Sequence, residues 1–266
     1  MPASPARKEE PRVIQGGMGV AVSGWRLASA VAKLGQVGVV SGTALALVLA
    51  RGLQDGDREG HLRRALGAFI DRDIAGRILD RYLRPDGRPP GAGYRSVPVP
   101  RQRAGRGFLE LTVAASFVEV YLAKEGHDGL VGINLLEKIQ IPTLPALYGA
   151  MLAGVDWVLM GAGIPAHIPE ALDALADHRS FELPLAVAGA LPEERHAVAF
   201  DPRSVVATIG RRLRRPRFLA IVSSHLLASH LVRSESGRPD GLVLEHPMAG
   251  GHNAPPRGRL QLDEQG

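Results

Sequence analysis

The 266-residue chain contains no cysteine. Disulfides, thiolate nucleophiles and Cys-ligated zinc or iron–sulfur clusters are therefore excluded, and nothing points to an oxidising compartment. Aromatic residues are scarce, at 5% of the chain. The interior must then be built from Ala, Val, Leu and Ile, a composition that suits closely packed helix–sheet layers. No apolar run reaches membrane-spanning length, and the opening MPASPARKEEPR lacks the apolar core of a secretory signal. These absences lead to the expectation of a soluble, cytoplasmic protein with no membrane partner. Walker A and HExxH patterns are missing, and no GxSxG elbow surrounds Ser223 or Ser224. His225 and His230 stand five apart and share no helix face, so no metal site is expected.

What is present describes a globular chain. Hydrophobic residues make up 45% and charged residues 22%, and the length allows one large core. We read a polar tail over residues 1–11 and a single domain over 12–266. With 32 glycines and 20 prolines, the domain needs many tight connections. The net charge of +5 raises the question of nucleic acid. Its arginines concentrate at 84–106 and at Arg211–Arg217 with few aromatics between them to stack on bases, so a solvated loop and a helix end explain both clusters. No nucleic-acid partner is expected.

Along the chain, short apolar runs alternate with helical patterns. Arg12–Gln15 and Val37–Ser41 read as strands around a helix from Trp25 to Leu34, with Ser23 as its cap. Residues 45–83 are helical, and the Pro/Gly/Arg-rich stretch at 84–106 is a long loop. Helical signal returns over Leu111–Glu125. Further strands are expected at Gly129–Asn134, Val155–Met160, Arg217–Val222 and Gly241–Glu245, with a hairpin-like excursion over Glu182–Phe200. Helices should fill Pro145–Ala153, Pro169–Ala176 and Ser224–Val232.

Repeated βα units with apolar strands leave the doubly wound sheet and the (β/α)8 barrel. Gly or polar motifs end nearly every strand: GGMG, SGT, Asn134, GAG, Ser223-Ser224 and AGGH. A barrel gathers all those ends on one face, whereas a doubly wound sheet needs GxGxxG after its first strand, and Gly17-x-Gly19 lacks the third glycine. The α/β barrel is therefore the expected fold. Glycines at successive strand ends suit a flat or phosphorylated ligand pressed against backbone N–H groups. Asn134 is either a cap or a ligand donor. Asp156 begins a strand, at the end opposite that site, and reads as a turn or capping residue. Glu245 and His252 lie at and beyond the last strand's end, and an imidazole supplies a base near neutrality.

Three stretches, VIQGGMGVAVSGWRLASAVAKLGQVGVVSGT, GINLLEKIQIPTLPALYGAMLAGVDWVLMGAGIP and GLVLEHPMAGGHNAPPRG, closely resemble the nitronate monooxygenase family, formerly the 2-nitropropane dioxygenases. That family is similar to the FMN-dependent enoyl-ACP reductases and shares their TIM-barrel fold. The resemblance runs from about Pro11 to the end, and QGGMG and AGGH carry it most specifically. It implies FMN as cofactor and a small nitroalkane or nitronate as substrate. By resemblance Gly16, Gly17, Met18 and Gly19 lie along the flavin with Asn134 near its ring, Gly250 and Gly251 belong to the AGGH loop, and His252 is the catalytic base.

Two departures stand out. His246 occupies a position where the family leads us to expect a small residue. The chain also stops at Gly266 after about six of the eight expected βα units, so an incomplete, truncated barrel is expected, without the last glycine-rich turns that would cradle the FMN phosphate. An enoyl-thioester reductase of fatty-acid or polyketide synthesis, or a non-catalytic remnant, are the alternative readings. Oligomeric state is not legible from the sequence.

Overall fold

In the computed structural model, which describes residues 11–185, 187–191, 193–207, 210–246 and 249, the apolar runs become strands β1 (Gly38–Ser41), β2 (Val131–Leu136), β3 (Trp157–Gly161), β4 (Phe181–Pro184), β5 (Ala197–Phe200), β6 (Arg217–Val222) and β7 (Gly241–Leu244). Five of them form one sheet in the order β1-β2-β3-β6-β7, every neighbouring pair parallel. The expected excursion is the antiparallel pair β4–β5. Between the strands run α1 (Trp25–Lys33), α2 (Leu45–Gln54), α3 (His61–Ala68), α4 (Arg72–Tyr82), α5 (Arg106–Lys124), α6 (Thr143–Leu152), α7 (Ile168–Ala176), α8 (Pro202–Val205) and α9 (His225–Val232). The protein is α/β, with a parallel sheet whose neighbours follow chain order.

The strand pleat sorts side chains onto two faces. Val40, Ile133, Val158 and Ala220 point toward the helices and join the large core, together with fully buried residues of α5 and α6. Val39, Leu159 and Leu219 point the other way and form a second, smaller apolar cluster. Each fully buried Val or Leu contributes about 1.5–3 kcal/mol, so the larger helix-side core dominates stability. α5 is buried almost all round, as expected of a helix apolar on every side. α6 lies so close to it that a side chain on Gly149 would meet the Val113 backbone, with Cα at 3.0 Å.

Three sequence expectations change. The first strand shrinks to one parallel bridge between Ile14 and Val37, because Gln36 Oε1 accepts from the N–H groups of Arg12 and Val13 and the glycine loop follows at once. Ser23 does not cap α1: the cap position is Gly24, and the Trp25 N–H donates instead to Glu119 Oε1 of α5 at 2.6 Å. The Ser23 hydroxyl accepts from Gln15 Nε2 at 2.9 Å. Finally, the cluster Arg211–Arg217, read as a helix end, lies in the connection between α8 and β6 and at the first residue of β6, and Arg212, Arg214 and Arg215 are paired. Arg212 bonds Asp177 at 2.5 Å, and Arg215 reaches Asp173 and Asp240 at 2.7 Å each.

Asp156 does precede β3 at the end away from the strands' carboxyl ends, but it is more than a turn residue. Its buried carboxylate accepts from Lys124 Nζ, Arg214 Nη2 and, at 2.9 Å, the Val131 N–H, joining α5, β2 and the β6 approach. The long loop is tied down as well: Gln54 of α2 exchanges two hydrogen bonds with the Arg95 backbone, at 2.6 and 3.3 Å. Among the described residues no helix is long and apolar enough to cross a membrane.

Candidate functional site

Because the five strands are parallel, their carboxyl ends line one edge of the sheet. Register places Ser41 beside Asn134, Asn134 beside Leu159, and Ile221 beside Val243. On the face opposite the helices these ends enclose a cavity of about 560 Å³. Leu136, Leu159, Ile221 and Val243 supply its apolar wall, and Ser41, Thr43 and Asn134 its hydroxyls and amide. The loop Gly16–Gly19 closes one side, and Glu245 and His246 stand at the end of β7 on the other.

The loop is held by backbone geometry. Gly17 sits at φ +67°, and a Cβ there would come within 2.9 Å of the Val39 Cβ and 3.1 Å of the Asn134 Cβ. The chain therefore runs directly against the sheet, with no side chain between its backbone and the strands. Asn134 Nδ2 donates to the Gly16 carbonyl at 2.7 Å, and Gln15 Oε1 accepts from the Val39 N–H at 3.0 Å. The Asn134 carbonyl accepts from the Gly42 N–H at 2.7 Å. One buried asparagine thus joins two motifs that the sequence keeps 118 residues apart.

No protein-family model matches the chain, and no curated protein matches it.

Gly16, Gly17, Met18, Gly19 and Asn134 all line this one cavity. Gly250, Gly251 and His252 lie outside the described residues. His246, singled out as a departure, lines the cavity, and its carbonyl accepts from the Ala249 N–H at 2.8 Å. Among the described residues no group of three or more His, Asp or Glu stands together to hold a metal.

Two carboxylates escaped the sequence reading. Glu137 follows β2 and lines a second, smaller pocket with Gln140 and Thr143, where burial raises its pKa although Gln140 Nε2 donates to it at 3.0 Å. Only Gly163 leaves room for it, since a side chain there would meet the Glu137 carboxyl carbon at 2.7 Å. Glu119 is buried within α5, where burial pushes its pKa up to about 7 against the opposing Trp25 hydrogen bond and the charge of Arg26. Its signal was present in Phe117-Val-Glu-Val-Tyr121, a lone acid amid apolar helix residues.

Proposed function

We propose that the chain is an FMN-dependent oxidoreductase of the nitronate monooxygenase kind, oxidising nitroalkanes or alkyl nitronates with molecular oxygen, and that its sheet belongs to a (β/α)8-type barrel. The carrying observation is the meeting of the glycine loop 16–19 with Asn134 in one cavity at the strands' carboxyl ends. The barrel reading is supported by strand order that follows the chain without reversal, and by the helices' packing on one face while the other carries the cavity. A doubly wound sheet reverses its order at a switch point.

The lining suits a flat heteroaromatic ring. The floor is aliphatic, and the near wall is backbone because Gly17 admits no side chain. Among the described residues the wall carries no Lys or Arg, so a phosphate end would be met by backbone N–H groups. Bound flavin would accept electrons from the substrate anion and return them to oxygen. The protein's part is to hold the ring with Gly16–Gly19 and Asn134, to exclude water with its aliphatic wall, and to take the carbon-bound proton of a neutral nitroalkane with His252. His246 and Glu245 border the same space and bear on which substrates enter it.

The test is direct. Added FMN should bind the purified protein, with its fluorescence quenched and its visible bands shifted. Absence of binding overturns the proposal. His252→Ala should keep FMN while losing turnover of neutral nitroalkane by about a hundredfold or more, and should retain turnover of the preformed nitronate. Unchanged nitroalkane turnover removes His252 from the role.

A further inference from the structure

The glycine loop is pinned at both of its stems. At the first, Gln15 bonds the Val39 N–H and Asn134 bonds the Gly16 carbonyl. At the second, the Ser41 N–H donates to the Ser23 carbonyl at 2.8 Å, and the next residues open α1. The cap of that helix is anomalous. Gly24 has no side chain to offer, and an added Cβ would stand 3.3 Å from Glu119 Oε1. A carboxylate from α5, 94 residues away, occupies the place a local cap would take.

We infer that Glu119 is the positioning residue of the glycine loop, acting from the helix side of the sheet, and that the charge on its carboxylate sets how firmly the loop's second stem is held. A carboxylate at a helix N-terminus bonds the first N–H groups and meets the positive end of the helix dipole, and both effects weaken when it is protonated. Placing that carboxylate in the interior is costly, which is why its pKa is raised to about 7. Stability from this group is fully present below its ordinary 4.5 and is lost as pH rises through about 7. A charge that destabilises the fold while ordering a loop at the cavity is the trade expected of a functional device.

Most of the other charges around it are engaged. On α1, Arg26 reaches Glu119 with its field and pairs with Glu59, while Lys33 lies at the helix's far end. On α5, Glu110 is held by Arg77 of α4 and by Arg106, Lys124 by Asp156, and Glu125 by Arg64 of α3. His61 of α3 bonds Glu59 and packs edge-on against the Trp25 ring at 4.9 Å. His127 meets the Ser29 hydroxyl. Arg51 of α2 lies over Tyr94, and Tyr148 of α6 bonds His178. Arg203 lies on α8, and β1 and β2 carry no ionisable side chain.

The Trp25 amide, whose partner is Glu119, reports the pin. Hydrogen exchange of the ligand-free full chain, corrected for intrinsic rates, should show its protection about tenfold higher near pH 8.5 than near pH 5.5. Glu119→Gln should lose that pH dependence and match the low-pH protection throughout, and yet melt higher than wild type near pH 8.5. Glu119→Ala should leave the amide least protected at every pH. Equal protection and equal pH course in wild type and Glu119→Gln overturns the inference, as does a Glu119→Gln protein that melts lower than wild type at alkaline pH. Retaining His61 in all variants, and repeating the comparison on His61→Asn, excludes the neighbouring imidazole as the source.

The link to the ligand rests on the proposed function. FMN affinity of Glu119→Gln near pH 8.5 should fall several-fold, about as its amide protection does. If FMN binds neither protein, the flavin reading fails while the exchange result stands. If both bind alike although their exchange differs, the positioning role fails.

Discussion

Asp156→Asn should lower stability by about 3 kcal/mol, some 6–10 °C in melting temperature for a chain of this size. The carboxylate is the shared partner of Lys124 and Arg214 and also accepts from the Val131 N–H at 2.9 Å. Burial alone would raise its pKa, but the bonds from Lys124, Val131 and Arg214 outweigh it and hold the group below its ordinary 3.8. Asparagine keeps the shape and one acceptor while removing the charge, so two cations lose their counter-ion. The effect sits at the low end for a broken buried pair because the Arg214 side chain remains well exposed and can return to water. The sign follows from the depressed pKa: the stabilisation is present above the ordinary carboxylate range and disappears as pH falls through the folded value. Thermal melts should therefore show a constant gap from about pH 8 to about pH 5 that closes only in strong acid. A variant that melts with wild type at neutral pH would remove Asp156 from its place as the tie between α5, β2 and the β6 approach.

Gly17→Ala should damage both fold and site. Alanine at φ +67° costs about 1 kcal/mol relative to glycine. Its methyl also drives into Val39, which is fully buried and cannot swing away, and presses Asn134 at 3.1 Å. Overpacking of this kind adds about 1–3 kcal/mol, for a total near 3 kcal/mol. Displacing Asn134 breaks its bond to the Gly16 carbonyl, so on the proposed flavin reading FMN affinity should drop by about a hundredfold. The double variant Gly17→Ala/Val39→Ala separates the two costs. It should recover part of the clash and none of the dihedral strain, and wild-type melting of the single variant would refute both. Measured together by calorimetry and FMN titration, the pair distinguishes a collapsed protein from a misplaced loop.

The elements that were legible share a local origin. Arg217–Val222 is β6 residue for residue, because a run of apolar residues ending at two serines carries its own boundaries. The helix expected over Ser224–Val232 is α9, with Ser224 as its cap, the hydroxyl accepting from the Leu227 N–H at 3.3 Å. The β4–β5 hairpin was announced by Leu-Pro-Glu-Glu between two apolar runs. By contrast, Ser23 carried the same capping signal as Ser224 and was used otherwise. Gln15 claimed its hydroxyl and Glu119 supplied the cap, and neither contact is visible in a short window. Arg211–Arg217 read as a helix end for the same reason: the partners of its arginines, Asp156, Asp173, Asp177 and Asp240, are scattered along the chain.

Composition, strand-ending glycines and the βα rhythm by themselves determined an α/β chain with parallel strands and left Asn134 open between cap and ligand donor; only the family resemblance set it beside the glycine loop. The α/β class and the parallel strands rest on period and turn chemistry, which act over a few residues. Only the tertiary structure decided that strand order runs without reversal, that His246 borders the cavity, that Asp156 is an ion-pair hub, and that a buried acid of α5 caps α1. Each of these depends on contacts across tens of residues, where desolvation and hydrogen-bond satisfaction choose among partners that look equivalent along the chain.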